Sequence, residues 1–270
     1  RYNTLQLAID ALPTNGGDVL VPSGYTVDVS STVTFPTGVR RVHLRGGAWG
    51  SLIRWTGGNG GLVLDLPAAT NLVTGGSTSG HKVSNLLIAV SGTQTGVVGV
   101  RMGSSCTVSG GDCVFLMGTI EKVLFGTMAV GLDLLAEAHE ISVIDSWFFD
   151  IETAGIRGRR SVVGGGASVS TLFIAGTHFQ GIGSGACGID IDGGSRYTVI
   201  GSRFHGNPGA VSQCGMQFDG YDAVYLSGNY IELQGTGAST RGISLGPNNA
   251  SNGGGAIIGN HIYGGGTNNK

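Results

Sequence analysis

The stretch Gly188-Ile189-Asp190-Ile191 is one of six short segments between Gly99 and Gly264 that share one pattern of residue types. Each segment begins with glycine and continues with apolar residues that alternate with a variable position. The other five are Gly99-Val100-Arg101-Met102, Gly131-Leu132-Asp133-Leu134, Gly155-Ile156-Arg157-Gly158, Gly215-Met216-Gln217-Phe218 and Gly242-Ile243-Ser244-Leu245. This alternation indicates short β-strands with one side toward a core.

A second segment follows each of these and has an apolar residue, four variable positions and a large apolar residue. Its copies are Ile120 to Phe125, Val143 to Phe148, Ile174 to Phe179, Val199 to Phe204, Leu226 to Ile231 and Ile257 to Ile262, with Val83 to Ile88 as an earlier member. From Val83 to Ile257, six steps cover 174 residues, a mean of 29. A period of this size indicates a solenoid, a propeller or another array.

The repeat selects one architecture among these. Leucine-rich repeats need periodic Leu and Asn at a tighter spacing, WD-type propeller blades carry Gly-His and Trp-Asp marks, and antiparallel sandwiches do not repeat in sequence. We therefore predict an all-β fold, a parallel β-helix in which each repeat forms one rung of about 29 residues. Rungs stack about 4.8 Å apart, so equivalent positions form columns along the molecule. The 52 glycines are expected to serve the turns.

Composition excludes several classes of function. A net charge of −2 with 12% charged residues provides no basic stripe, so we expect no nucleic-acid partner. No apolar run reaches the roughly 18 residues that indicate a spanning helix, so we expect no membrane insertion. We predict one β-helix domain over residues 1–270, with regular rungs over 83–264. Because the chain begins at Arg1 without Met and stops at Lys270, we expect a fragment of a longer chain or a processed product.

The N-terminal residues carry a more specific pattern. Thr4 to Leu12 has the apolar spacing of a short amphipathic helix with Thr4 as its cap, and an Asn-Gly-Gly run ends it. The chain continues with Gly17-Asp18-Val19-Leu20-Val21-Pro22, a Ser-Gly-Tyr turn, short strands, and Val42-His43-Leu44-Arg45-Gly46.

This order resembles the N-terminal part of pectate-lyase-like right-handed β-helix proteins, including many bacteriophage tailspikes. The likeness covers residues 4 to about 55, and extends further only as a repeat architecture. It implies a single-stranded right-handed parallel β-helix with a short N-terminal capping helix, where residues 1–55 form the helix and the first coils. The tailspike type implies a homotrimer in the phage tail, or otherwise extracellular, that contacts other virion tail proteins and binds a bacterial surface polysaccharide. The Asn-Thr-Asp, Asp-Asp, Gly-His-Gly and Arg-Ile-Lys motifs of polygalacturonases do not occur here, nor does the Asp-Pro-His of related epimerases.

Two outward columns follow from the strands that begin with glycine. The first is Arg101, Asp133, Arg157, Asp190, Gln217 and Ser244, and the second is Gly103, Leu135, Arg159, Asp192, Asp219 and Gly246. Together they predict an acidic cluster of Asp190, Asp192 and Asp219 on the surface, bordered by Arg157 and Arg159.

Glycoside cleavage commonly uses two carboxyl groups, one protonated and one ionised, roughly 5 to 9.5 Å apart. We interpret the three aspartates as a candidate acid and a base or nucleophile. The candidate substrate-binding residues beside them are Arg157, Arg159 and Gln217. The alternative is a solvated polar sheet face on which Arg and Asp offset each other across rungs.

A second pair of outward columns is aromatic and polar. One reads Trp147, His178, Arg203, Tyr230 and His261, and the other reads Phe149, Gln180, His205, Glu232 and Tyr263. Flat aromatic area with hydrogen-bonding neighbours suits sugars, so Trp147, His178, Arg203 and Tyr230 are further candidate substrate-binding residues. A subunit interface, which is enriched in Trp, Tyr and Arg, explains these columns equally well.

Other columns are predicted to be structural. A polar ladder at a turn reads Ser146, Thr177, Ser202, Asn229 and Asn260. Cys187 and Cys214 each precede the first glycine of successive repeats, and we interpret them as two buried thiols stacked in the core, with a disulfide as the alternative. Cys106 and Cys113 flank a loop that a local disulfide could close. The insertions at Gly103 to Gly111, Arg159 to Ala167 and Pro247 to Gly255 are expected to be loops on one edge of the solenoid.

The six histidines lack the spacing of a zinc site, and we expect neither a metal nor a cofactor. The leading functional hypothesis is a phage-tailspike-like protein that binds, and could depolymerise, a bacterial surface polysaccharide. The alternatives are a non-catalytic virion or adhesin module and a free secreted polysaccharide lyase or epimerase.

Overall fold

The structure is a computed structural model that describes residues 4–37, 39–48, 50–68, 78–92, 94–104, 115–135, 138–159, 169–237, 239–246 and 253–264. It is nearly all β, with 61% strand and 3% helix, and forms a parallel β-solenoid of about 8 turns. Successive rungs begin about 27 residues apart, slightly less than the predicted 29. The predicted parallel β-helix with a short N-terminal helix is confirmed.

One helix and 25 strands make up the described chain. The helix α1 is Leu5–Asp10. The strands are β1 Gly17–Val21, β2 Thr26–Val29, β3 Val33–Thr34, β4 Val42–Gly46, β5 Leu52–Trp55, β6 Leu62–Pro67, β7 Thr78–Ser79, β8 Lys82–Val90, β9 Val98–Ser104, β10 Phe115–Leu116, β11 Thr119–Leu134, β12 Ala138–His139, β13 Ile141–Ile144, β14 Trp147–Gly158, β15 Leu172–Ala175, β16 His178–Ile182, β17 Ala186–Asp192, β18 Arg196–Ile200, β19 Arg203–Gly206, β20 Gln213–Asp219, β21 Ala223–Ser227, β22 Tyr230–Leu233, β23 Arg241–Leu245, β24 Gly254–Ile258 and β25 His261–Gly264.

The parallel pairings arrange 22 of these strands on three faces of the solenoid. Face one contains β1, β4, the beginnings of β8 and β11, and β13, β15, β18, β21 and β24. Face two contains β2, β5, the end of β8, the middle of β11, the beginning of β14, and β16, β19, β22 and β25. Face three contains β3, β6, β9, the ends of β11 and β14, and β17, β20 and β23. The short strands β7, β10 and β12 pair separately.

The interior is organised around a stack of four phenylalanines. The rings of Phe125, Phe148, Phe179 and Phe204 are nearly parallel, with centroids 4.7, 4.9 and 4.6 Å apart in succession. All four are buried, and each comes from the second repeated segment of its rung.

The phenylalanine stack explains the glycine that begins each repeat. A Cβ on Gly155 would lie 2.6 Å from Cδ1 of Phe179, and one on Gly188 would lie 2.6 Å from Cδ1 of Phe204. The φ angles of these glycines are not in the left-handed region. Our expectation that glycine serves turns is therefore wrong at this column, where it makes room for a ring.

One corner of the rung has the same backbone conformation in seven successive rungs. The residue there has φ between 48° and 62°, in the left-handed region. The seven residues are Asn85, Lys122, Asp145, Gly176, Gly201, Gly228 and Gly259.

The polar ladder follows directly after this corner, and its predicted structural role is confirmed. Ser146, Thr177, Ser202 and Asn229 are buried. Each side chain bonds backbone of its own or a neighbouring rung. Ser202 N–H donates to Oδ1 of Asn229 at 2.9 Å, and Asn229 N–H donates to Oδ1 of Asn260 at 3.0 Å.

The helix α1 covers the N-terminal end of the core. The hydroxyl of Thr4 accepts a hydrogen bond from Leu7 N–H at 3.2 Å, as the predicted cap requires. Leu5 and Ile9 are buried against the first rung. The Gln6 amide bonds both the N–H and the carbonyl of Thr34, which fixes the helix to β3.

Cys187 and Cys214 are in register on β17 and β20 and are free thiols. The two thiols therefore stack as predicted, but only Cys214 is buried, whereas Cys187 is half-buried. The hydrogen bond with Cys187, together with burial, raises the pKa of the Cys214 thiol. The proposed pair of Cys106 and Cys113 lies outside the described residues, as do most of the three predicted insertions.

Within the described ranges, no helix is both long and apolar enough to cross a membrane. The boundaries that we predicted for one domain, at residues 55 and 83, remain predictions.

Candidate functional site

The first outward column of face three is a ladder of alternating charges. Asp133 on β11 is in register with Arg101 on β9 and with Arg157 on β14. Its carboxylate accepts from Nε of Arg157 at 2.7 Å and from Nε of Arg101 at 3.4 Å. Because Asp133 holds the guanidinium by this hydrogen bond, the pKa of Arg157 is raised further.

The ladder differs from the prediction in one respect. The column was expected to point to the surface, yet the side chain of Asp133 is only 1% exposed. The flanking arginines satisfy its charge, which allows a carboxylate to be buried there. Sequence reasoning missed Asp133 as a key residue, although its place in the column between Arg101 and Arg157 was a usable signal.

Asp190 continues this ladder on the next rung. It is in register with Arg157 and with Gln217, and Nη2 of Arg159 donates to its Oδ2 at 2.9 Å. Nε2 of Gln217 donates to its Oδ1 at 3.3 Å. The structure thus brings together Asp190, Arg157, Arg159 and Gln217, as the sequence predicted. Asp190 is 17% exposed and both of its oxygens already accept hydrogen bonds.

The other two aspartates form a separate pair. Asp192 on β17 is in register with Asp219 on β20, so the two carboxylates lie on neighbouring rungs. Asp219 is 5% exposed rather than on the surface, which corrects the prediction. Within the described residues, its Oδ1 is buried without a hydrogen-bond partner. A buried carboxylate oxygen in this state is energetically costly, and such costs concentrate at functional sites.

The aromatic stripe on face two consists of the two outward columns predicted from the sequence. Their register is confirmed, because Trp147, His178, Arg203, Tyr230 and His261 pair in succession along β14, β16, β19, β22 and β25. The rings of Trp147 and His178 stack with centroids 5.0 Å apart, and those of Tyr230 and His261 stack at 5.1 Å.

Stacking changes what this stripe can offer a sugar. A ring face that covers its neighbour is not available to a ligand, so the expected flat area is largely occupied at Trp147 and His178. Phe149 and Tyr263 are 37% and 59% exposed, and neither stacks on another aromatic ring of the described chain. Arg203 is also exposed, between the two stacked pairs.

The polar groups of the stripe form their own network. His205 lies 3.4 Å from Glu232, to which the Tyr230 hydroxyl also donates at 3.4 Å. Burial, with coulombic contributions from the neighbouring His205 and Arg203, lowers the pKa of His178. Nε1 of Trp147 and Nε2 of His178 have no hydrogen-bond partner within the described ranges.

The acidic cluster and the aromatic stripe lie on two consecutive faces of the same rungs, not on one surface. Trp147 and Arg157, for example, belong to the two ends of β14, which contribute to face two and face three respectively. A ligand bound to the outward side chains of one face therefore does not contact the outward side chains of the other face.

A third feature is a groove of about 700 Å³ beside α1, lined by residues including Leu12, Leu20 and Tyr25. It contains none of the predicted site residues. Among the residues that the structure describes, no cluster of three or more His, Cys, Asp or Glu side chains could hold a metal ion.

These features define the chain as a parallel β-solenoid, and comparisons with known proteins add distant likenesses. No protein-family model and no curated protein matches the chain. Among solved structures, it is similar to a Geobacillus virus E2 protein, ORF18, with 13% identity and a TM-score of 0.44 over 98% of this chain and 58% of that one. It is also similar to the A-module of the Azotobacter vinelandii mannuronan C-5 epimerase AlgE4, with 16% identity, a TM-score of 0.37 and coverage of 98% and 95%. A third is the catalytic unit of a GH87 α-1,3-glucanase from Streptomyces thermodiastaticus, with 13% identity, a TM-score of 0.29 and coverage of 96% and 65%.

Proposed function

We propose that this chain is a β-helix of the phage tailspike type that binds a bacterial surface polysaccharide and cleaves it. In this proposal it acts as a homotrimer in the virion tail, beside other tail proteins, or otherwise outside the cell. The single observation that carries the cleavage proposal is the pair of carboxylates on neighbouring rungs, Asp192 and Asp219.

The spacing of this pair suits glycoside cleavage with one carboxyl group as the acid and the other as the nucleophile. Neighbouring rungs are about 4.8 Å apart, close to the separation of roughly 5 to 5.5 Å that retaining glycosidases use. Asp219, which is buried and has no partner at Oδ1 among the described residues, is the proposed acid, and Asp192 is the proposed nucleophile.

The neighbouring charges have supporting roles in this proposal. Arg159 lies one residue column from Asp190 and is 41% exposed, so part of its guanidinium can contact an anionic sugar group. Asp190 then acts as a positioning residue, because it already accepts from Arg159 and Gln217.

Binding along the solenoid is assigned to face two. There the exposed, unstacked rings of Phe149 and Tyr263 lie at the two ends of the stripe, and the guanidinium of Arg203 lies on a rung between them. Sugar hydroxyls can pair with Arg203 and Glu232, while C–H groups pack on the free aromatic faces.

Cleavage is tested by measuring new reducing ends on a panel of capsular and O-antigen polysaccharides. We expect Asp192→Asn and Asp219→Asn each to lower the rate at least about 100-fold. Asp190→Asn should have a smaller effect. Asp28→Asn is the matched control, because Asp28 is an ion-paired aspartate far from the cluster. If neither Asp192→Asn nor Asp219→Asn slows cleavage, the assignment of these residues is wrong.

Binding is tested separately with Tyr263→Ala and Arg203→Ala by affinity electrophoresis in the same polysaccharides. Both variants should migrate with less retardation than the wild-type chain. Tyr25→Ala, which removes an exposed tyrosine far from the stripe, is the control. Equal retardation of all four proteins would remove face two from the proposal.

A non-catalytic virion or adhesin module is the second candidate, and one observation favours it. The ladder through Asp133 and Asp190 is internally paired, as expected of a scaffold face. This candidate predicts retardation in the binding assay without any new reducing ends.

A further inference from the structure

Face one changes its chemistry along the molecule. Its two outward columns can be followed through nine rungs from the strand register. In the first four rungs they contain charged and ion-paired residues. These rungs carry Asp18, Leu20, His43, Arg45, Lys82, Ser84, Thr119 and Glu121.

The last five rungs carry no charge in the same two columns. Their ten residues are Ser142, Ile144, Phe173, Ala175, Thr198, Ile200, Tyr225, Ser227, Ala256 and Ile258. Several large apolar side chains among them are open to solvent, since Ile200, Tyr225 and Ile258 are 37%, 41% and 54% exposed. Arg196 is the one charged residue in these five strands, and it lies at the start of β18, outside the two columns.

The same five rungs are different on their other faces. Face three carries the ladder through Arg157 and Asp190, and face two carries Arg203 and Glu232. The absence of charge is therefore specific to face one and is not a property of the whole C-terminal half.

We infer that these ten residues, the neutral face, form the contact surface for a second copy of this chain. Depletion of charge with exposed aromatic and aliphatic residues is the composition of the core of an interface between identical subunits. A partner selected by charge, such as an anionic glycan or a nucleic acid, finds no charged group to pair with among these ten residues, and the exposed Arg196 lies at their edge.

Two physical arguments favour a second copy over another apolar partner. The neutral face repeats every rung, about 4.8 Å along the axis, and an identical solenoid presents side chains with the same period. In a symmetric assembly with its axis along the solenoid, a residue near the axis faces its own counterpart. A charged residue would meet its own charge there, whereas Ile200 or Tyr225 would meet an apolar side chain.

This inference rests on the self-association that we propose and names its surface, and it does not depend on glycan cleavage. Sedimentation velocity on the full chain tests it. The wild-type chain should sediment as an oligomer at micromolar concentration. Ile200→Glu and Tyr225→Glu should each weaken association at least about tenfold, because each buries a carboxylate without a partner. Leu20→Glu, on face one but in the first rung and 49% exposed, is the matched control and should leave the oligomer intact.

The outcomes separate the two proposals. A wild-type chain that sediments as a monomer overturns both the self-association and the neutral face. An oligomer that survives both Ile200→Glu and Tyr225→Glu retains self-association but overturns the neutral face as its surface. Circular dichroism melts check that the variants are folded, and both positions are solvent-exposed, so neither substitution disturbs the core.

Discussion

Asp133 and Asp219 are both buried carboxylates in the outward columns of face three, and they are held in opposite ways. Asp133 lies between two arginines that donate to it, at 2.7 and 3.4 Å. Asp219 lies beside another carboxylate, Asp192, and its Oδ1 lacks a partner in the described chain. The first arrangement stabilises the fold, and the second is a local cost that a function could explain.

The largest expected change in the free energy of unfolding comes from removing the paired carboxylate of Asp133. Asp133→Asn leaves Arg101 and Arg157 without their shared counter-charge, and we expect the free energy of unfolding to fall by about 3 kcal/mol. Urea denaturation at neutral pH measures this. Adding Arg157→Gln should recover part of the loss, since it removes one of the unpaired charges. A change below about 1 kcal/mol would contradict the role of the ladder.

A third buried titratable group, His81, sharpens the comparison because burial, and not a charged residue of the described chain, shifts its pKa. Burial lowers the pKa of His81 to about 4, and Nδ1 accepts from Val42 N–H at 3.1 Å. In the unfolded chain His81 binds a proton as the pH falls through about 6.5, whereas in the folded chain it stays neutral to a lower pH. The contribution of His81 to the free energy of unfolding is therefore fully present above pH 6.5. It is lost as the pH falls from 6.5 toward 4.

The expected loss over that range is roughly 3 kcal/mol, since the pKa differs by about 2.5 units. His81→Asn retains an acceptor and cannot titrate between these pH values. Its free energy of unfolding should therefore vary less between pH 7 and pH 4.5 than that of the wild-type chain. If the free energies of unfolding of the two proteins vary with pH in parallel, His81 is not the source of the pH dependence.

A smaller effect, opposite in sign to that of Asp133, is expected at Asp219. Asp219→Asn replaces a buried carboxyl group, whose Oδ1 has no hydrogen-bond partner in the described chain, by an amide of nearly the same shape, so we expect unchanged stability or a gain of up to about 1 kcal/mol. The same urea experiment measures it. A loss as large as that of Asp133→Asn would show that the two carboxylates are held alike.

The smallest effect is expected at Arg159, between the ladder and the carboxylate pair. Arg159→Gln should change the free energy of unfolding by less than about 1 kcal/mol, because the Arg159–Asp190 pair is partly exposed. Binding of an anionic polysaccharide should weaken more clearly than that of a neutral one. If Arg159→Gln binds both the anionic and the neutral polysaccharide as tightly as the wild-type chain does, Arg159 is not part of the binding site.

Register was the part of this structure that the sequence predicted best. The repeat placed Trp147 against His178 and Cys187 against Cys214, and the strand pairings agree. Equivalent positions in a parallel stack repeat without offset, so aligning the repeats also aligns the columns. The polar ladder followed for the same reason.

The burial of individual side chains and the face on which each column lies were not predictable in this way. Alternation indicates that Asp133 and Asp219 point away from the core, but not that their neighbours bury them. The repeat in the sequence also does not indicate where β14 bends from one face to the next. The acidic and aromatic columns could therefore not be assigned to separate faces. The role of Gly155 and Gly188 depended on the phenylalanine rings opposite them, which belong to the other segment of the repeat.

The left-handed corner has a consequence for how the solenoid becomes ordered. Three early rungs place Asn85, Lys122 and Asp145 there, and four later rungs place glycine. In this conformation Lys122 stores roughly 1 to 2 kcal/mol of strain and Asn85 and Asp145 store less, whereas glycine stores none but has more freedom to lose on folding. Because each rung of such an array is stabilised mainly by its neighbours, a later rung can order on one already formed. If the rungs order in sequence from the end covered by α1, the rungs with a side chain at this corner form first. The larger loss of backbone entropy at the glycine corners then falls on the later rungs.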